Sequence, residues 1–240
     1  MTSNSPDLSG RQVLVPGGTG AVGEGVVRRY LAAGADVVVP TRTEARSQQF
    51  RSLLGDAADD RLHLVVHDYT TFAGAEDLVA HMIDNRGAVD DVVAPIGGWW
   101  AGKQLTQIDD ADWQSAFVGL ATTHLAVARA ALPRMTATGA YTVIVGESAS
   151  WPVPGSGLVS MEQAAILMMQ RVLAAEADGS KRVFAFVLGQ VNSRIIENAD
   201  SGWVTADQVG AMAVAVSASS EPGREIRLTS KDEAQAELTK

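Results

Sequence analysis

Residues 12–23 read Gln-Val-Leu-Val-Pro-Gly-Gly-Thr-Gly-Ala-Val-Gly, a short apolar run that leads into glycines at 17, 20 and 23. Behind it, Ala21 to Ala33 carries helical spacing and is stopped by Gly34, so the segment spells strand, turn and helix. A pyrophosphate needs bare backbone and a helix N-terminus, and glycines at this spacing supply both by letting the chain turn tightly and approach closely. Gly17, Thr19, Gly20, Val22 and Gly23 are therefore candidates for holding a dinucleotide. Alone the motif is weak, and a glycine-rich connection with no ligand is the alternative.

Outward from this turn the alternation continues. Strand-length apolar runs at Val37–Val39, Leu62–Val66, Asp91–Ile96, Val143–Val145, Val183–Leu188 and Glu225–Leu228 are separated by helical stretches. These are Glu44–Leu54, Ala75–Asn85, Asp109–Met135, Leu158–Ala177 and a last one near Thr205–Ser217. Parallel neighbours need crossover helices, so the pattern predicts an α/β fold, a doubly wound parallel sheet of Rossmann type. One domain over 1–240 is expected, with 1–10 as a flexible lead, and ligands belong at the carboxyl ends of the strands.

Composition narrows the function classes. No apolar run approaches the roughly 20 residues of a bilayer span, and the polar start shows no basic-then-apolar leader, so a cytoplasmic location is expected. Cysteine is absent, which removes disulfides and thiolate chemistry. His63, His67, His81 and His124 lack the spacing of a metal motif, and no metal is expected. A net charge of −9 offers no basic field, so neither nucleic acid nor membrane is an expected partner.

The second strand is followed by Thr41-Arg42-Thr43, where a domain that prefers NAD usually places a carboxylate. Arg42 offers a forked cation to a 2′-phosphate instead, which favours NADP(H) over NAD(H), a solvated surface arginine being the alternative. In His67-Asp68-Tyr69, Asp68 is placed to accept from an adenine amino group or simply to cap a turn, and Tyr69 beside it joins the candidate set. Trp99, Trp100, Trp151 and Trp203 fall on loops at the carboxyl edge. They suggest an aromatic pocket for a flat or apolar small molecule, with lid packing or a subunit contact as the alternative.

Several markers keep a familiar spacing. Asp112-Trp113 precedes a long helix ending Ala131-Leu132-Pro133, Val159 to Glu176 reads VSMEQAAILMMQRVLAAE, and Leu188-Gly189-Gln190-Val191-Asn192-Ser193 follows the sixth strand. Together with the glycine turn and Asp68, these resemble the short-chain dehydrogenase/reductase family along nearly the whole chain. The resemblance implies a nicotinamide dinucleotide, with Gly97 and Gly189 among its contacts, and a homodimer or homotetramer. It also shows what is missing. Where the family has a catalytic tyrosine this chain has Val159, and Gln163 stands in the place of the lysine four residues on. Leu120 and Gly146 occupy the asparagine and serine positions, unless Ser148 serves through a shifted loop.

Valine cannot shuttle a proton, and glutamine has no charge with which to lower a neighbour's pKa. Tyr30, Tyr69 and Tyr141 are followed four residues on by Gly34, Ala73 and Val145, so no Tyr-x-x-x-Lys exists elsewhere. The family's carbonyl/alcohol hydride transfer is accordingly expected to be absent or strongly reduced, while Gln163 could still hydrogen-bond ribose hydroxyls. Glu147 and Ser148, just past the fifth strand, are the candidate substitutes as acid or base. Glu162 is expected to point away from Gln163 and to be structural. Two other classes stay open: a non-redox cyclase or isomerase using the aromatic pocket, and a non-catalytic dinucleotide sensor or scaffold.

Overall fold

The computed structural model describes residues 6–240. A seven-stranded, wholly parallel sheet forms the centre, ordered β3-β2-β1-β4-β5-β6-β9. Its strands are β1 (Gln12–Leu14), β2 (Asp36–Thr41), β3 (Leu62–Val66), β4 (Asp91–Ala94), β5 (Ala140–Gly146), β6 (Arg182–Leu188) and β9 (Glu225–Leu228). The connections are α1 (Ala21–Ala32), α2 (Glu44–Leu54), α3 (Phe72–Arg86), α4 (Asp110–Trp113), α5 (Gly119–Ala131), α6 (Gly157–Ala177) and α7 (Ala206–Ala218). A two-strand ribbon of β7 (Val191–Asn192) and β8 (Val204–Thr205) precedes α7, and α8 (Lys231–Leu238) closes the chain.

Two apolar layers sandwich the sheet. One packs α1, α2 and α7 through Val26, Tyr30, Phe50, Met212 and Val216, and the other packs α3, α5 and α6 through Leu78, Met82, Val127, Ile166 and Leu167. Because both faces are covered, inner strands such as β5 and β6 are buried along nearly their whole length, whereas edge strand β9 alternates exposed Glu225 and Arg227 with buried Ile226 and Leu228. The closest helix contact is α1 on α7: a Cβ on Gly25 would overlap the Ala206 carbonyl oxygen, so only a glycine lets the two backbones approach. Tyr30 from α1 then seals the seam by hydrogen-bonding Ser217 Oγ at 2.6 Å.

Three details depart from the sequence reading. The stretch expected as one helix over Asp109–Met135 is α4, a π-helical segment Gln114–Val118 and α5, with Trp113 stacked on Phe117 across the widened turn. By length and hydropathy this 25-residue run, Asp110–Arg134, passes as a membrane span, correcting the expectation that nothing here would; α5 nonetheless packs an apolar face on the sheet. Second, of the lead expected to be flexible, residues 1–5 lie outside the described residues, and the rest is tied down: Leu8 is buried and its N–H donates to Ala33 O at 2.7 Å. Third, α8 was not foreseen, although Ser230 caps it by accepting from the Glu233 N–H, a Ser-x-x-Glu signal legible in the chain.

At the amino ends of the strands a buried ion pair binds three strands together. Asp91, with no exposed side-chain surface, accepts from Arg11 Nε at 2.7 Å and from the Ala140 N–H at 2.8 Å, linking β4 to the approach to β1 and to β5. Removing one partner of a buried pair leaves the other charge uncompensated. Asp91→Ala is expected to lose about 3–5 kcal/mol in urea unfolding followed by circular dichroism.

Candidate functional site

The sheet order reverses direction at β1, so a crevice opens between the carboxyl ends of β1 and β4, as doubly wound sheets require. The glycine turn lies in it. Gly17 has φ +84°, and a Cβ there would come within 2.5 Å of the Pro95 carbonyl oxygen, so the turn is pressed against the end of β4 with no room for a side chain. Thr19, Gly20 and Val22 follow at the start of α1, partly exposed, while Gly23 is buried behind them. The bare turn and helix N-terminus thus fit a pyrophosphate.

Beside the turn the structure gathers two cations where the sequence reading had one. Arg42 is exposed at the end of β2 and helps to hold the Asp68 carboxyl below the usual carboxylate range, behind the larger effect of the Thr70 hydroxyl and N–H. Arg46, in the first turn of α2, donates from Nη2 to the Thr19 carbonyl at 2.9 Å and from Nη1 to Gln49 Oε1 at 2.9 Å. Its signal was present, since a residue four positions after Arg42 and one turn into a helix capped by Thr43 has to face back toward the turn. Asp68 spends Oδ1 on the Thr70 N–H and hydroxyl, at 2.9 and 2.7 Å. Tyr69 is half-buried behind it, its phenol raised by burial while Arg42 and the Gly17 backbone pull the other way. Gly97 follows β4 in an exposed position with φ +139°, and the Gly189 N–H donates to Leu228 O at 3.2 Å at the end of β6.

On the opposite wall, α6 presents Val159 and Gln163. Val159 is buried, 6% exposed. Gln163 is engaged at both ends of its amide: Oε1 accepts from the Gly146 N–H at the end of β5, and Nε2 donates to Glu162 Oε2 at 2.9 Å. The expectation that Glu162 would turn away from Gln163 is therefore corrected, because both side chains fold over the same turn of α6 and their heads meet. Glu162 is 1% exposed, its Oε1 has no hydrogen-bond partner among the described residues, and burial pushes its pKa up to about 7, the Gln163 bond opposing this only partly. Glu147 and Ser148 stand half-buried in the turn after β5, with Ser148 Oγ 3.3 Å from where a Cβ on Gly146 would lie. Leu120 is half-buried at the start of α5, and His124 one turn on is neutral, lowered to about 4 by burial, with Nε2 3.0 Å from Ile96 O.

The tryptophans share this edge without meeting. Trp99 and Trp151 are 69% and 63% exposed, on loops joined by the Gly102 N–H to Gly155 O bond at 2.9 Å, while Trp100 and Trp203 are half-buried. A cleft of about 330 Å³ opens instead between α1 and the connection after β6, lined by Ala21, Glu24, Ser193, Arg194 and Thr205 among others. Arg194 reaches across it to Glu24 at 2.6 Å, a pairing over 170 positions that no local pattern announces.

A parallel sheet with a bare glycine turn at its switch point is a doubly wound architecture of the dinucleotide-binding kind. The sequence profile described as short chain dehydrogenase matches residues 11–202, and the chain belongs to that family of nicotinamide-dinucleotide oxidoreductases. Among similar proteins is a hydroxysteroid 11-beta-dehydrogenase 1-like protein of Xenopus tropicalis, 30% identical over 149 residues, covering 61% of this chain and 51% of that one. Another is the cis-1,2-dihydrobenzene-1,2-diol dehydrogenase of Pseudomonas putida, 29% identical over 174 residues, 70% of this chain and 62% of that one. The aligned stretch thus spans between about half and three-fifths of these relatives' length. Among solved structures, a short chain dehydrogenase from Burkholderia cenocepacia in complex with NADP superposes with a TM-score of 0.81 at 19% identity, covering 92% of this chain and 97% of that one.

Glu162 gives a pH signature. Its carboxyl keeps its proton to about pH 7 in the folded chain but releases it near the ordinary glutamate value of 4.5 when unfolded, so its contribution to stability is present below 4.5 and is lost as pH rises from there through 7. Glu162→Gln, which cannot ionise, is expected to gain on the wild type by about 2 kcal/mol more at pH 8 than at pH 5, measured by urea unfolding at both values.

Proposed function

We propose that this chain binds NADP(H) in preference to NAD(H) and that its carbonyl/alcohol hydride transfer by the family's usual route is absent or strongly reduced. One observation carries the second half: the wall that should offer a proton donor and a cation offers a buried valine, Val159, and an amide, Gln163, tied to protein at both ends. A bound nicotinamide dinucleotide supplies or accepts the hydride. This chain's residues do the rest: the turn at Gly17 cradles the pyrophosphate, Arg42 and Arg46 hold a 2′-phosphate in a forked grip, and Asp68 Oδ2 accepts from the adenine amino group. Gln163 is left to meet the nicotinamide ribose, and neither it nor Val159 can move a proton.

The ligand beside the dinucleotide is a small, flat or apolar molecule against the rim tryptophans. A relative named for a dihydrodiol of benzene supports this class, as does the aromatic character of the loops. Association as a homodimer or homotetramer through α5 and α6 is supported by the exposed apolar side chains of Leu125, Met161, Met168 and Val172, and a cytoplasmic setting fits the acidic chain.

Titration with NADPH and NADH, followed by tryptophan fluorescence and melting temperature, tests the cofactor reading, since a ligand of the native state raises stability by mass action. Arg46→Ala is expected to weaken NADPH binding about tenfold or more while leaving NADH nearly unchanged, because a lost charge-assisted contact is worth about 1.5–3 kcal/mol. Equal loss for both dinucleotides would remove Arg46 from the 2′-phosphate site. With an aromatic cis-diol as substrate, turnover in the wild type is expected to be at least about 10²-fold below that of the Val159→Tyr, Gln163→Lys double variant, since positioned acid–base groups contribute about 10²–10⁴. A wild type as fast as the variant would overturn the reading.

A further inference from the structure

Glu162 is a carboxyl removed from water on α6, one residue before Gln163, and no charged group among the described residues compensates it. The titratable groups on the elements packed against α6 are Glu147 in the turn after β5, Tyr141 on β5, Arg182 on β6, and His124 and Arg129 on α5. The π-helical stretch Gln114–Val118 carries none. None of these acts on Glu162; besides burial, only the Gln163 amide does. Oε2 accepts from Gln163 Nε2 at 2.9 Å and Oε1 has no partner among the described residues. The Gln163 amide is held the other way by the Gly146 N–H, so its orientation is fixed from both sides. An acidic residue here is a specific arrangement, since a buried carboxyl with one bare oxygen is costly unless it serves the group it touches.

We infer that Glu162 is a positioning residue that holds the Gln163 amide, and that a dinucleotide seated over Gln163, as proposed above, draws the amide away and leaves Glu162 to take up a proton. The physical chain is short. With Gln163 turned to the ribose hydroxyls, the Glu162 carboxylate loses its one hydrogen-bond donor in a dry site, and the ionised form becomes untenable there. The neutral form remains, since a protonated carboxyl can be buried at far lower cost. Above neutral pH, binding of the dinucleotide and binding of a proton are therefore coupled, each favouring the other. A carboxyl that served packing alone would show no such coupling, because its surroundings would be the same with and without the ligand.

The experiment is NADPH binding by titration calorimetry at pH 7 and pH 8, in buffers of different ionisation enthalpy, on the wild type and Glu162→Gln. The wild type is expected to take up a fraction of a proton approaching one at pH 8, and its Kd to rise about fivefold from pH 7 to pH 8 relative to the variant. The 2′-phosphate of NADPH titrates equally in both proteins and drops out of the comparison. Equal proton uptake in the two proteins overturns the inference. No heat or fluorescence change in either protein at either pH overturns the dinucleotide reading itself, and this inference with it. Infrared difference spectra of the wild type give a second readout that needs no variant: a protonated carboxyl band grows at pH 8 on adding NADPH, and its absence at saturating NADPH overturns the coupling.

Discussion

The architecture depends on the contact of Gly17 with the Pro95 carbonyl. That contact presses the first turn against the end of β4 at the point where strand order reverses, and it exists only because Gly17 lacks a Cβ and can adopt a positive φ. The crevice edge between β1 and β4 and the approach to α1 are set by it. The ion pair of Arg11 and Asp91 fixes the same strands from their other ends, so the crevice edge is held by packing on one side and by charge on the other.

Against this intact cradle stands an altered wall. The glycine turn has the bare backbone and helix N-terminus that fit a pyrophosphate, whereas on α6 Val159 is buried and Gln163 carries an amide, neither of which can move a proton. Glu162, one residue before that amide, is its hydrogen-bond partner. On the function proposed above, the binding half of the site and its chemical half have separated. On the same reading, the chemistry that remains passes through groups such as Glu147 and Ser148 or through the Glu162–Gln163 pair.

Much of the fold was legible in the chain. Continuous apolar runs such as Val183–Leu188 and Val37–Val39 declared buried parallel strands, because the middle of a sheet covered on both faces has no polar side to alternate with. The boundaries of α2 and β9 were also readable, whereas the break of the long helix at Gln114–Val118 was not, since a widened turn depends on how Trp113 and Phe117 pack. In the site, Arg42 could be read from its place after β2. Arg46 was overlooked although helical spacing pointed it at the glycine turn, and α8 was overlooked although Ser230 and Glu233 formed a start signal.

By itself the sequence determined the doubly wound fold, the glycine turn at Gly17–Gly23 and the absence of any Tyr-x-x-x-Lys, because these follow from periodicity, glycine spacing and side-chain identity. Only the tertiary structure decided that Glu162 and Gln163 meet, that Gln163 is anchored to Gly146, that Arg194 crosses a cleft to Glu24, and that Trp99 and Trp151 stand apart in solvent. The reason is physical: hydrogen bonds and ion pairs between distant elements depend on rotamers and on where the backbone brings side-chain heads together, and burial of a carboxyl depends on every element packed around it.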